Sequence, residues 1–343
     1  MSSNHGVHPP ADRPAQVTVL PDIVMDDGSY DCNKAEGNPE EDPYRLFQEF
    51  SSLLYERNVE SGTVFSQYYR QKIYQLVWSS NMIENVGADI SMTLGLCERV
   101  FGGWPASELL LYFDSVRSQR EITHQAKAAG YIFGEIGKGN DLSEDLIRNT
   151  HEVLTCGIDM EDVTPWTEFS GRYRRGPART DSYQFMHQDK VPSAMQQMIK
   201  DFNEEALQAT ESGQIDPIAL AAKYSHAFTT IHPFECGNGR ISRLILNVIL
   251  FKFTLCLISF GKDENDRDEY RDLVADALLR EGVCDLLELV GVPKEFRPRN
   301  WIGLATFTLK HALETMKEMH QLGQSSSSHS GTQQKDDLLT IVC

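Results

Sequence analysis

His232-Pro233-Phe234-Glu235-Cys236-Gly237-Asn238-Gly239-Arg240-Ile241-Ser242-Arg243 separates two stretches of helical periodicity. Upstream, Asp216 can cap a helix with Pro217 at its first position, and Ile218, Ala221, Tyr224, Phe228 and Ile231 recur at helical spacing as far as His232. Downstream, Ile241, Leu244, Ile245, Val248 and Phe251 form a second apolar stripe. Gly237-Asn238-Gly239 therefore falls in the turn that opens a second helix, and the loop joins two buried helices.

A helix start offers unpaired backbone N–H groups, glycines allow close approach, and Arg240 and Arg243 lie one turn apart. Together they make a site for a polyphosphate, with the Asn238 amide as a further donor. His232, at the mouth of the loop, is the side chain suited to take a proton near neutral pH. Each feature alone has a plainer reading: a turn, a structural histidine, an exposed basic face. Their joint occurrence in this order points to phosphate-linked group transfer.

The block resembles the signature of the Fic (Fido) family, His-x-Phe-x-(Asp/Glu)-Gly-Asn-Gly-(Arg/Lys)-x-x-Arg, with Cys236 as its one departure. The resemblance implies an all-α Fic helical bundle with a short β-hairpin flap, and a protein adenylyltransferase (AMPylator). In that role His232 deprotonates a Ser, Thr or Tyr hydroxyl of a target protein, which attacks the α-phosphorus of ATP. Gly237, Asn238 and Gly239 would cradle phosphates, Arg240 would take the β-phosphate side and Arg243 the γ-phosphate. ATP with Mg²⁺ or Mn²⁺ is the implied cofactor set, and the partners are ATP, a hydroxyl-bearing target protein and, as a candidate, a second copy of the chain.

Cys236 occupies the position whose carboxylate holds magnesium in the family. Magnesium wants hard oxygen ligands in an octahedron, and a thiol is soft; Glu235 is the neighbouring acid that could compensate. The alternative to a working enzyme is a nucleotide-binding pseudoenzyme or scaffold. A further alternative is a transferase for another phosphate-containing group.

Two other segments extend the resemblance. Ser80, Glu84 and Asn85 match the family's inhibitory motif, (Ser/Thr)-x-x-x-Glu-(Gly/Asn), whose Glu pairs with the second signature arginine, here Arg243, and keeps the γ-phosphate from seating. One guanidinium cannot give its bidentate face to a carboxylate and a phosphate at once. The plain reading of Asn81 and Glu84 is a capping box at a helix start. The same Glu positions water in inhibited relatives, so removal of AMP (de-AMPylation) is an expected secondary activity. Gly171-Arg172-Tyr173-Arg174 resembles the run before the flap, which places Thr180, Asp181, Ser182 and Tyr183 near the nucleotide. Tyr270, in Arg267-Asp268-Glu269-Tyr270, resembles the tyrosine that lies against it, and a buried core tyrosine is an equal reading.

The rest of the chain frames this site. Hydrophobic residues make up 41% of 343, enough for a core, and 32 basic against 50 acidic residues leave a net charge of −18. Such an acidic surface argues against nonspecific binding to nucleic acid or anionic membrane. Seven cysteines show no paired spacing, so neither a disulfide framework nor a zinc site is expected. The polar start has no signal-peptide pattern, and cytoplasm or nucleus is the expected location. Leu244 to Phe260 is apolar, but Asn247 and Lys252 interrupt it, so a core helix rather than a membrane span is expected. Residues 1–42, with nine acids against Arg13 and Lys34, are expected to be a disordered acidic arm, and 323–343 a disordered tail. The resemblance implies that residues 43–322 form a Fic domain, with the inhibitory helix near 79–86. Within it, Tyr44 to Trp78, Leu109 to Ile132, the stretch after Ser143, that after Val191 and Ile302 to Met319 read as core helices, with His124 and His151 structural.

Overall fold

The computed structural model describes residues 21–32, 41–56, 63–104, 116–160, 164–181, 183–293 and 296–327. Helices dominate: α1 Pro43–Glu56, α2 Thr63–Ile83, α3 Ile90–Phe101, α4 Val116–Gly137, α5 Glu144–Thr155, a single turn α6 Trp166–Phe169, α7 Val191–Ser212, α8 Pro217–Ile231, α9 Asn238–Thr254, α10 Glu264–Leu289 and α11 Ile302–Ser327. The helical expectation for the chain holds, and the caps read from the sequence are in place. Asp216 accepts from the Ala219 N–H at 2.9 Å and Ser143 from Leu146 at 3.1 Å.

α9 is buried on nearly all sides, which makes it the axis of the bundle rather than an amphipathic surface helix. It packs on α8, α4, α2 and α5, while α8 also meets α11, α7 and α10. The two polar residues that interrupt its apolar run are accommodated. Asn247 donates to the Arg243 carbonyl and accepts from the Ile258 N–H, and Lys252, at the last turn, reaches Asp141 at 2.9 Å. Among the described residues no helix is long and apolar enough to cross a membrane, and there is no disulfide.

Four expectations need correction. The arm is not disordered throughout: Asp22–Ile23 (β1) pairs in parallel with Gln214–Ile215 (β2). Tyr30 is buried, and its hydroxyl donates to Asp216 at 2.8 Å while Arg299 pairs with Asp26; an apolar ring and two polar anchors offset the ordering entropy. Second, Ser79 to Ile83 close α2 instead of opening a helix. Asn85 is left-handed at φ 55°, and α3 begins only after its own cap, Asp89. The capping-box reading of Asn81 and Glu84 therefore fails. Third, α11 continues to Ser327, past the boundary at 322. Fourth, the expected hairpin is reduced to one antiparallel bridge, Arg179 with Gln184, closed by Thr180 N–H to Tyr183 O and Phe185 N–H to Ala178 O.

Candidate functional site

α8 ends at His232, whose backbone turns left-handed at φ 49°, a strained conformation for a residue with a Cβ. That turn throws its ring across the helix end, where it stacks on Phe185 at 4.0 Å. Burial, helped by the positive charge of Arg174, pushes the imidazole down to about 4; the Thr229 carbonyl draws it slightly the other way. Nδ1 is buried without a well-aligned hydrogen bond. His232 is thus a neutral imidazole at physiological pH, able to accept a proton.

The loop after it is held by Phe234, which is fully buried. Burying such a ring contributes about 2 kcal/mol. Both ends of the Asn238 amide close on Phe234: Oδ1 accepts from its N–H at 2.9 Å and Nδ2 donates to its carbonyl at 2.8 Å. The sequence reading gave this amide to phosphate; in the structure it braces the turn. His151 stacks on Phe234 at 3.7 Å and bridges two loops. The Gly171 N–H donates to its Nδ1, so Nε2 carries the proton and donates to the Cys236 carbonyl, both at 3.0 Å. Burial drives its pKa to about 3, and it stays neutral in one tautomer.

Gly237 begins α9 at φ 73°, with Leu154 packed where a Cβ would lie. Gly239 matters for another reason: a Cβ there would fall on the Glu84 carboxylate. Glu84, Gly239 and Arg243 therefore meet at the α9 N-terminus. Arg243, 2% exposed, donates from Nη2 to Glu84 Oε1 at 2.6 Å and to the Ser80 carbonyl at 3.0 Å, and from Nε to Ser80 Oγ at 2.8 Å. Burial would raise the Glu84 pKa, but Arg243 outweighs it and holds the carboxyl below its usual range. Asn85 accepts from Arg271. Arg240, also buried, pairs through Nη1 with Glu121 of α4, a residue the sequence reading passed over.

A cavity of about 450 Å³ opens between His232, Asn238, Gly239, Arg243, Tyr270 and Leu278, with Thr180 and Asp181 on its flap side. A slightly larger cavity under the docked N-terminal segment holds none of these residues. Tyr270 lies under the Arg243 guanidinium at 5.7 Å. Tyr183 is turned into packing on Phe185 at 5.2 Å and on Leu278, and Ser182 lies outside the described residues. Arg174 fastens the flap to the loop: Nε donates to the His232 carbonyl, Nη1 to that of Gly176 and Nη2 to that of Met186.

The metal position implied by the resemblance is not built here. Cys236 is pushed up to about 11, chiefly by burial, and remains a thiol. Glu235 points away, accepting from the Arg175 N–H at 2.9 Å, so it does not replace the missing acid. Glu84 and Glu121 are both paired with arginine. Among the described residues no three His, Cys, Asp or Glu side chains group to hold an ion.

Two features of the site escaped the sequence, Glu121 and the clamp function of Arg174, whereas His151, read there as structural, is structural and braces the loop. Glu121 lies in a helical stretch with no motif of its own, and only the buried arginine opposite explains it. His151 carried one usable signal, a lone histidine on an otherwise apolar helix face.

Residues 141–250 match the Fic/DOC family. The chain is 28% identical over 207 residues to the protein adenylyltransferase Fic of Nematostella vectensis, covering 59% of this chain and 43% of that one. It is 32% identical over 83 residues to a Fido domain-containing protein of Dictyostelium discoideum, covering 24% and 55%. The chain thus spans about half the length of these relatives. In fold it resembles a Fic domain-containing signaling protein of Bacteroides thetaiotaomicron (TM-score 0.62, 17% identity, 84% of this chain and 99% of that one). It resembles Fic-1 of Caenorhabditis elegans equally (TM-score 0.62, 18% identity, 87% and 77%). By signature and domain match, residues 141–250 carry a Fic/DOC family domain, set in a helical fold like that of these Fic proteins.

Proposed function

We propose that the chain is a protein adenylyltransferase that moves AMP from ATP to a Ser, Thr or Tyr hydroxyl of a target protein, and that Glu84 restrains it. The observation that carries this reading is the meeting of neutral His232, the α9 N-terminus and buried Arg243 around one cavity, with buried Arg240 lining a second cavity at the same helix start. His232 takes the proton of the target hydroxyl. The hydroxyl oxygen bonds to the α-phosphorus as the bond to the β-phosphate oxygen breaks, and pyrophosphate leaves. The helix N-terminus, Arg240 and Arg243 stabilise the charge on the phosphates.

Glu84 sits against Gly239 and occupies Arg243, the position a γ-phosphate would claim. The acid that would recruit magnesium is Cys236 here, so the chemistry rests on the chain's own residues, and the expected basal rate is low. The paired, ionised Glu84 near His232 supports a secondary role in orienting water to remove AMP from modified protein.

The test is autolabelling with α-labelled ATP. Label on Glu84→Gly that disappears with the added His232→Ala supports transfer; bound ATP without label on any variant favours the scaffold reading instead. A phosphate in place of AMP on the product, read by mass, would assign the other transferase class.

A further inference from the structure

Two carboxylate–arginine pairs meet at the start of α9, and they differ in what opening them requires. Glu84 keeps 36% of its side chain exposed beside Arg243 at 3%, so it can turn to water, where its charge is solvated. Glu121 keeps 4%, beside Arg240 at 9%. A carboxylate at that depth without its cation is an uncompensated buried charge, among the costliest states in a protein interior.

We propose that Glu121 is a positioning residue that stays bound to Arg240 while phosphate binds, and aims the guanidinium at the α9 N-terminus. The contact uses Nη1 alone. Nε of Arg240 is buried and has no hydrogen-bond partner, an orphan donor that calls for an anion. Arginine carries five N–H donors in a rigid fork, so anchoring one nitrogen leaves others for a phosphate oxygen. Glu121 is itself steadied from its other oxygen, where Arg117 Nε lies at 3.8 Å, and Arg117 is tied to the Asp159 carbonyl. A cavity of about 270 Å³ lined by Glu84, Glu121, Cys236, Gly237 and Arg240 gives the anion room. Glu84 is therefore the switch of the site and Glu121 its anchor.

This inference rests on the reading that ATP phosphates lie at the α9 N-terminus. Calorimetric titration of the 343-residue chain carrying Glu84→Gly with ATP and with adenosine, with and without Glu121→Gln or Glu121→Asp, tests it. Gln keeps the shape and one acceptor; Asp keeps the charge at shorter reach. The expected result is ATP binding weakened about ten- to hundredfold by Gln and less by Asp, with adenosine affinity close to that of Glu84→Gly and a melting temperature lowered by Gln, which leaves the buried Arg240 charge uncompensated. Tighter ATP binding in either variant would make Glu121 a second lock and overturn the anchor. Equal loss of ATP and adenosine affinity would make its role purely structural. If Glu84→Gly itself binds no ATP, the functional reading falls and takes the anchor with it; if it binds ATP and the Glu121 variants match it, only the anchor falls.

Discussion

Glu84 Oε1 lies 2.6 Å from Arg243 Nη2, and the same carboxylate rests against the backbone of Gly239. One side chain thus fills both halves of an anion cradle, the guanidinium and the helix start. The contact joins the end of α2 to the start of α9, 159 residues apart in sequence.

Removing that carboxylate should tighten nucleotide binding selectively. Glu84→Gly is expected to raise ATP affinity by roughly tenfold, the scale of a charge-assisted hydrogen bond no longer in competition. Adenosine affinity should hardly move, because adenosine carries no phosphate to compete with Glu84 for Arg243. Calorimetry with both ligands checks this; equal gains for both would mean that Glu84 shapes the cavity rather than competing for phosphate.

A carboxylate restored at 236 should change the metal response. The thiol of Cys236 shares its cavity with Glu121 and Arg240, and Asp there would add a hard oxygen donor. Magnesium should strengthen ATP binding to Glu84→Gly/Cys236→Asp more than to Glu84→Gly, with a difference of severalfold in a magnesium titration. Identical titrations would place the metal's influence elsewhere.

Acid should destabilise the fold partly through His151 and His232. The unfolded chain takes protons on imidazole near pH 6.5, whereas the folded chain resists until about 3 for His151 and about 4 for His232. Their stability contribution is complete above pH 6.5 and is lost as pH falls toward those values, by roughly 3 kcal/mol for His151 between pH 6.5 and 4. Asp216, lifted to about 6 by burial, acts in the opposite sense and is common to both chains compared. His151→Phe keeps the ring stack on Phe234 but has no imidazole to protonate, so its melting temperature should depend less steeply on pH than that of the native chain. Parallel slopes would contradict the neutral buried assignment.

Arg174→Lys should not rescue what Arg174→Met loses. Three carbonyls accept from the one guanidinium, and an ammonium lacks that planar fork. Both variants should lose about 2 kcal/mol or more of stability, and residues 175–186 should become the first site of limited proteolysis. A native-like digestion pattern for Lys would show that charge alone holds the flap.

Most of the helical frame was legible because its signals are local. Asp216-Pro217, Ser143 and the stripes of α8 and α9 each act within a turn or two of chain. The signature loop was legible as well, since a left-handed glycine, a helix start and two arginines must sit close in sequence to act together. Glu121 was not, because an ion pair between distant helices leaves no periodic trace. Asn238 misled for a related reason: an amide beside a phosphate cradle reads as a ligand, whereas here it closes its own turn on Phe234. The N-terminal arm misled through composition, its acids masking the few residues, Ile23 and Tyr30, that bury themselves.

The measurement closest to the central claim is autolabelling with α-labelled ATP on the native chain, Glu84→Gly, Glu84→Gly/His232→Ala and Glu84→Gly/Cys236→Asp. The account predicts faint label on the native chain, clear label on Glu84→Gly and none once His232 is replaced. Label confined to the Cys236→Asp form would contradict it, and would make the native chain a nucleotide-binding scaffold whose chemistry ended at residue 236.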